Sequence, residues 1–341
     1  MPSTANLTPS RLSAELREIL VCLSCGSKMT QESDESFSCM SCRRQYPKIR
    51  GVARFVEEQN YADSFGFQWH QYPITQLDTE EVREADRHFR MKTGLQPDDL
   101  RGKLVLDVGC GMGRFAEVAT RWGARVVGID LSAAAEMAAR NLADKDFVAL
   151  QADVFSLPFS PHSFDLIYSM GVLHHTPDCE AAVKVLPQYL KPGGILAVWL
   201  YSGYHKWYRF SDFWRRYTSK MPPKRLHSIL RVAVPFFYHT ENGIRRIPLL
   251  GKPAAGIFHH VFPVNRQPSA EARLLDTFDW YSPKYQSKHT YEQVFRWFEN
   301  CGLEDLHVAD NAVGVRGRKP MTANRDTSAT EWPNRAHSLS P

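Results

Sequence analysis

Over its middle third the chain alternates short apolar runs with amphipathic stretches. Residues 104–108 (LVLDV) form a short apolar run suited to a strand buried on both faces, and 126–130 (VVGID), 147–152 and 164–170 (FDLIYSM) read as the strands that follow. A Pro-Gly-Gly turn leads into a fifth such run over 190–200. Helical patterns over 114–122, 133–143 and 179–189 separate these strands, so the sheet should be parallel with right-handed crossovers. Further on, Tyr291, Val294, Phe295 and Phe298 share one face of an amphipathic helix over 290–300 that Gly302 ends. Residues 306–309 and 312–315 then read as an antiparallel hairpin, 80–91 as a charged, partly exposed helix, and 46–55 as one strand. Past Lys319 the chain is polar and aperiodic, so 320–341 is expected to be disordered.

Composition narrows the class. The 341 residues are 43% hydrophobic and 23% charged, as in ordinary globular proteins. No run of eighteen uncharged apolar residues predicts a transmembrane helix. The first twenty residues lack the apolar core and small-residue cleavage site of a signal peptide, so the chain is expected to stay in the cytoplasm. Seven cysteines in that compartment point to metal binding or free thiols rather than disulfides. Four of them form matched pairs, Cys22-x2-Cys25 and Cys39-x2-Cys42, a spacing that lets two knuckles set four thiolates around a structural zinc ion. A ribbon of some fifty residues buries little core, so such a metal would supply most of its stability.

Candidate chemistry centres on 104–113, LVLDVGCGMG. Gly109, Gly111 and Gly113 allow a sharp turn and a ligand lying close against the backbone. Asp130 ends the next strand, where a carboxylate can accept both hydroxyl protons of a ribose. The spacing is G-x-G-x-G rather than the dinucleotide G-x-G-x-x-G, and Asp107, two residues before the first glycine, suits a cationic ligand better than a pyrophosphate. This pattern resembles motif I of the class I S-adenosylmethionine (SAM) methyltransferases. The likeness extends in order through 103–200 and is similar to the type 11 methyltransferases. It implies a Rossmann-like α/β fold with a mostly parallel seven-stranded sheet and SAM as cofactor. By resemblance Asp107, Gly109, Gly111 and Gly113 line the methionine side, Asp130 the ribose, Asp153 with Val154 the adenine, and Ser169 with Met170 the methyl group. The segment 20–55 resembles the small zinc-ribbon proteins that activate certain tRNA and translation-factor methyltransferases, which carries zinc ligation to Cys22, Cys25, Cys39 and Cys42.

The implied organisation is a zinc ribbon (1–56), a helical lid or linker (57–102), a SAM-binding core (103–200), a basic aromatic helical insertion after strand five (201–275), the C-terminal part of the methyltransferase domain (276–319) and a tail (320–341). In the linker, Phe65, Trp69 and Tyr72 are candidates for a lid, Gln68 or His70 for substrate contact, and Arg87 with Arg90 for the cofactor carboxylate. Within the insertion, 201–263 holds eleven Lys/Arg against Asp212 and Glu241, with thirteen aromatics. Such a stretch fits peripheral contact with an anionic membrane on its inner face, a solvated basic cap or, less readily, RNA.

Methyl transfer to a hydroxyl needs a base. His175 is the leading candidate, with His174, His289, Asp276 and Asp279 as others; the paired histidines also suit packing or helix capping. The amine-methylating signature [D/N]-P-P-[Y/F/W] is replaced by SMGV, which favours an oxygen or carbon acceptor. The sequence reading is therefore a SAM-dependent methyltransferase acting on a small-molecule or lipid-linked acceptor. Its alternatives are an RNA methyltransferase and a non-catalytic SAM-binding or partner-docking protein.

Overall fold

A computed structural model of the chain describes residues 11–29, 31–33, 35–57, 60–204 and 209–321; the expected tail past 321 and the basic Lys206 lie outside them. Helix α1 (Arg11–Ile19) leads into the cysteine ribbon, with strands β1 (Gln31–Glu32), β2 (Ser36–Ser38), β3 (Gln45–Ile49) and β4 (Val52–Arg54). The expected single strand over 46–55 is a hairpin instead. Arg50 and Gly51, with φ of 52° and 82°, make a tight turn of the kind that matches strand twist. That turn sends β4 parallel to a central strand, with Ala53 opposite Leu150. The ribbon therefore has no separate core: Leu12, Leu16, Leu20, Cys22, Phe37, Tyr46 and Phe55 share one apolar cluster with Ala152, Leu157 and Phe159.

After α2 (Asp63–Gln71), α3 (Glu84–Thr93) and the short α4 (Pro97–Leu100), strands and helices alternate. The order is β5 (Leu104–Val108), α5 (Arg114–Arg121), β6 (Arg125–Asp130), α6 (Ala134–Asn141), β7 (Phe147–Gln151), β8 (Phe164–Met170), α7 (Cys179–Val185) and β9 (Leu190–Trp199). Every residue of β5 is buried, as its unbroken apolar run demands. The insertion forms α8 (Arg209–Thr218), α9 (Pro223–Arg245) and α10 (Gly251–Val261), and α11 (Ala270–Tyr281), α12 (Tyr291–Asn300), β10 (Glu304–Val308) and β11 (Gly314–Arg318) complete the chain. Both hairpin strands start about two residues from where their apolar runs do, since β11 is placed by pairing with β9 from Trp199 to Ile195.

The seven expected strands are present in the order β7-β6-β5-β8-β9-β11-β10, parallel except at β11 and β10. The sheet is nonetheless wider than seven, because β4 pairs with β7 and carries β3, β2 and β1 along, giving eleven strands. A buried ion pair fastens this junction: Arg54 donates to Glu136 of α6 at 2.7 Å, and Arg50 reaches the same carboxylate at 2.5 Å. Removing one partner from so buried a pair typically costs about 3–5 kcal/mol. On the other side, Leu226, Leu230 and Val234 of α9 pack on Phe278 and Tyr281 of α11 and on Phe67 of α2, which folds the insertion over the carboxyl ends of the strands. Among the described residues no helix is long and apolar enough to cross a membrane.

Candidate active site

At the carboxyl ends of β5 to β9 lies a cavity of about 1390 Å³, the place where open α/β sheets hold ligands. Its first wall is the glycine corner. Gly109 adopts φ of 82°, and a Cβ there would fall 2.3 Å from the Val172 side chain, so only glycine lets the two loops close. The amide of Gly111 donates to Asp130 Oδ2 at 2.9 Å, and Ser132 donates to Oδ1 from its amide (2.8 Å) and hydroxyl (2.7 Å). The Asp130 carboxylate is thus held facing the cavity, with accepting capacity left over. Burial raises its pKa, and these donors partly offset the rise. Asp153 and Val154 line the neighbouring stretch, Asp153 accepting from the Phe155 amide at 3.0 Å.

Three residues expected here sit behind the surface. Gly113 is the residue before α5 and packs against Leu142. Ser169 is fully buried and donates to the Val108 carbonyl at 2.9 Å, tying β8 to β5, so the strand's pleat leaves Met170 facing the cavity. Asp107 is 3% exposed and has one oxygen without a partner, while the nearby Tyr168 hydroxyl misses hydrogen-bond geometry. Burial, with Asp130 adding repulsion, pushes the Asp107 pKa up to about 8. A carboxyl in this state would be neutral until a cation approached it.

The opposite wall comes from distant segments. His175, in the 3-10 turn Leu173–His175, donates from Nδ1 to the Tyr285 carbonyl at 2.9 Å. A carbonyl only accepts, so that nitrogen carries the proton and Nε2 keeps its lone pair, with no partner. Burial lowers the His175 pKa, keeping the ring neutral. His174 and His289 do not line the cavity. His174 accepts from the Tyr201 amide at 3.3 Å and stacks on the Tyr201 ring at 3.8 Å, and His289 bonds Ser287 at 2.7 Å beside Trp297. Asp276 and Asp279 of α11 do line it. Burial and the neighbouring Asp279 raise the Asp276 pKa to about 6, and Tyr201 donates its hydroxyl to Asp279 at 2.9 Å.

From α2, Phe65, Gln68 and Trp69 reach the cavity. Tyr72 turns to His227 (2.8 Å), and His70 bonds the Gly66 carbonyl (2.7 Å), so neither faces a ligand. Arg90 is also turned away, bonded to Asp86 at 2.7 Å over the Trp122 ring, and Arg87 lies off the lining. The cavity face of α3 instead carries Glu84, His88 and Lys92, one turn apart. That stripe was readable in the sequence and was missed. Lys92 sits 3.6 Å from the centre of the Trp199 ring, and burial brings its pKa down to about 7. Arg114, also missed, donates to Gln76 (3.1 Å) and His88 (2.9 Å). Among the described residues neither cation has a carboxylate within salt-bridge distance.

Away from the cavity, the sulfurs of Cys22, Cys25, Cys39 and Cys42 lie within 4.8 Å of one another. Cys22 and Cys42 are 3.5 Å apart, as are Cys25 and Cys39. A tetrahedral zinc with bonds of about 2.3 Å sets sulfurs about 3.8 Å apart, so this cluster fits the ion. Tyr46 supports it, its hydroxyl lying 3.3 Å from Cys22 Sγ and accepting from the Leu23 amide at 2.9 Å. The other cysteines, Cys110, Cys179 and Cys301, are free thiols.

Residues 106–198 match the family model of a methyltransferase domain. Over 168 residues the chain is 32% identical to the ubiquinone biosynthesis O-methyltransferase of Coxiella burnetii, spanning 48% of this chain and 72% of that protein. It is 34% identical over 144 residues to the Neisseria meningitidis protein of the same name, spanning 40% and 60% of the two. A SAM-dependent methyltransferase structure from Mesorhizobium loti aligns at 36% identity with a TM-score of 0.27, over 29% of this chain and 47% of that one.

Proposed function

Starting from a chain that belongs to the class I SAM-dependent methyltransferases, we propose that it transfers a methyl group from SAM to a hydroxyl, or second to a carbon, of a small or lipid-linked acceptor. The observation that carries this reading is the pairing, across one cavity, of the glycine corner with a neutral His175 whose Nε2 is unpartnered. SAM supplies a methyl already activated on a sulfonium. On the donor wall Asp130 would hold the ribose hydroxyls, Asp153 and Val154 the adenine, and Asp107 would gain its negative charge as the cationic methionine end arrives. On the acceptor wall His175 Nε2 takes the hydroxyl proton, and Tyr285, by fixing Nδ1–H, keeps that nitrogen free to do so. Lys92, beside Trp199, in its ammonium form stabilises the negative charge that develops on the acceptor oxygen. The rest of the rate comes from alignment and from keeping water out.

The oxygen preference is supported by the names of the Coxiella and Neisseria relatives and by the SMGV segment in place of the amine-methylating signature. Zinc, in this reading, is structural: four thiolates leave it no open position, and it would hold the ribbon that widens the sheet. Metal analysis of the purified chain tests this, one zinc per chain supporting it and none opposing it.

The activity is tested with methyl-labelled SAM in a cell extract resolved into lipid, aqueous and RNA fractions. Label entering a lipid or small molecule supports the proposal, and label in RNA replaces it with RNA methylation. Calorimetry that finds no SAM binding to the zinc-loaded chain would sink catalysis and leave the partner-docking reading.

A further inference from the structure

The turn joining α9 to α10 carries apolar side chains that none of the described residues covers. Ile247, Leu249 and Leu250 are exposed, Leu249 at 99% and Leu250 at 72%, and so are Phe236 on α9 and Ile257 on α10. Flanking them, Arg246 and Lys252 are exposed too, with no acidic partner among the described residues. The only two acids of 201–263 are already engaged. Glu241 is buried and held by Arg245, Arg266 and His259, and Asp212 pairs with Lys288. Most of the basicity carried by the described residues of 201–263 therefore reaches solvent unneutralised. Two members drop out: Arg245 is paired with Glu241, and Arg215 is buried and donates to the Trp280 and Pro283 carbonyls, at 3.0 and 2.8 Å.

Exposed leucines with cations on either side discriminate between partners. RNA phosphates would engage Arg246 and Lys252 but leave Leu249 and Leu250 in water. An anionic bilayer engages both, taking the apolar side chains below the headgroups and the cations at the phosphates. The turn is also joined to the cavity. Helix α10 rises from it to His259 and His260, which with Pro263 line the cavity wall. At a rise of about 1.5 Å per residue, this wall stands ~12–15 Å above the turn, within the span of a short hydrocarbon chain.

We infer that the α9–α10 turn is a membrane-docking surface, placing Ile247, Leu249 and Leu250 in the interface of an anionic bilayer. The docking stands on the exposed surface alone. Only the further step, that a membrane-held acceptor presents its headgroup to the cavity along α10, rests on the proposed function.

The test is flotation of the full-length zinc-loaded chain with phosphatidylcholine vesicles, with and without phosphatidylglycerol. The wild type should float with the anionic vesicles and detach as salt rises. Leu249→Asp/Leu250→Asp should bind at least about a hundredfold more weakly, and Arg246→Gln/Lys252→Gln roughly 25-fold more weakly. Both variants should bind SAM as the wild type does, which separates lost docking from lost folding. A wild type that floats with neither vesicle overturns the inference, as do variants that float unchanged. Bare vesicles together with retention of a single-stranded RNA oligonucleotide would assign the surface to nucleic acid. Flotation without methyl transfer would remove the proposed activity and keep the docking, and the reverse would keep the activity alone.

Discussion

On one side of the cavity, Gly109, Gly111, Asp130 and Asp153 come from the ends of three consecutive strands. On the other, Trp69, Lys92, His175 and Asp276 come from α2, α3, the turn after β8, and α11. The donor side is fixed by backbone: a left-handed glycine, amides that orient Asp130, and strands buried on both faces. The acceptor side is fixed by side chains that meet only after the insertion and the C-terminal helices close over the sheet. A site built on backbone depends on conformation and fails as a unit. A site built on side chains can lose one function and keep the rest.

That contrast can be broken hardest at Gly109. Gly109→Ala imposes a left-handed conformation on a residue with a Cβ and a clash with Val172, each costing about 1–3 kcal/mol. SAM binding by calorimetry and the melting temperature should both fall, and adding Val172→Ala should recover only part, since it relieves the clash and not the backbone. Full recovery would show that packing, not conformation, governs the donor side. His175→Gln should do the opposite, lowering kcat by about 10²- to 10⁴-fold with SAM affinity intact. Equal losses in both readouts would make His175 a packing residue. Asp130→Asn should weaken SAM by roughly 10- to 150-fold, the value of hydrogen bonds to a charged group, while a purely structural role would lower the melting temperature and leave the affinity of the folded fraction alone.

The last contrast turns on a single proton. The Asp107 pKa is raised to about 8 in the folded chain, against about 4 for an ordinary aspartate. Its stabilisation is therefore complete below about pH 4 and lost as pH rises to 8. The melting temperature of Asp107→Asn relative to wild type should climb across that window and level off above it. Near pH 7 the wild type should release protons on binding SAM, seen as a buffer-dependent calorimetric enthalpy that the variant lacks. A binding enthalpy independent of buffer would mean that Asp107 keeps its proton and takes no part in holding the cation.

The ribbon and the insertion show the same division on a larger scale. Cys22, Cys25, Cys39 and Cys42 were readable because a knuckle is a local object with fixed spacing. That the ribbon would extend the main sheet was not, because it depends on the turn at Arg50 and Gly51 and on the reach of Arg54 to Glu136. Likewise the basic surplus of 201–263 was countable, but Arg215 and Arg246 looked alike until one was found bonded to carbonyls inside and the other beside Leu249 in solvent. The sequence points to Arg87 and Arg90 where the cavity meets Glu84, His88 and Lys92, because a helical stripe shows which residues share a face, and not which face meets the cavity.

The sequence by itself determined the alternation of buried strands and helices, the glycine corner with Asp130, and the cysteine knuckles, since each depends on neighbours within a few residues or one crossover. The tertiary structure alone decided the tautomer of His175, the burial of Asp107, the lack of a carboxylate partner for Lys92 and Arg114 among the described residues, and the bare leucines of the α9–α10 turn. Those properties depend on desolvation and on partners brought from far along the chain, and no local pattern of residues encodes either.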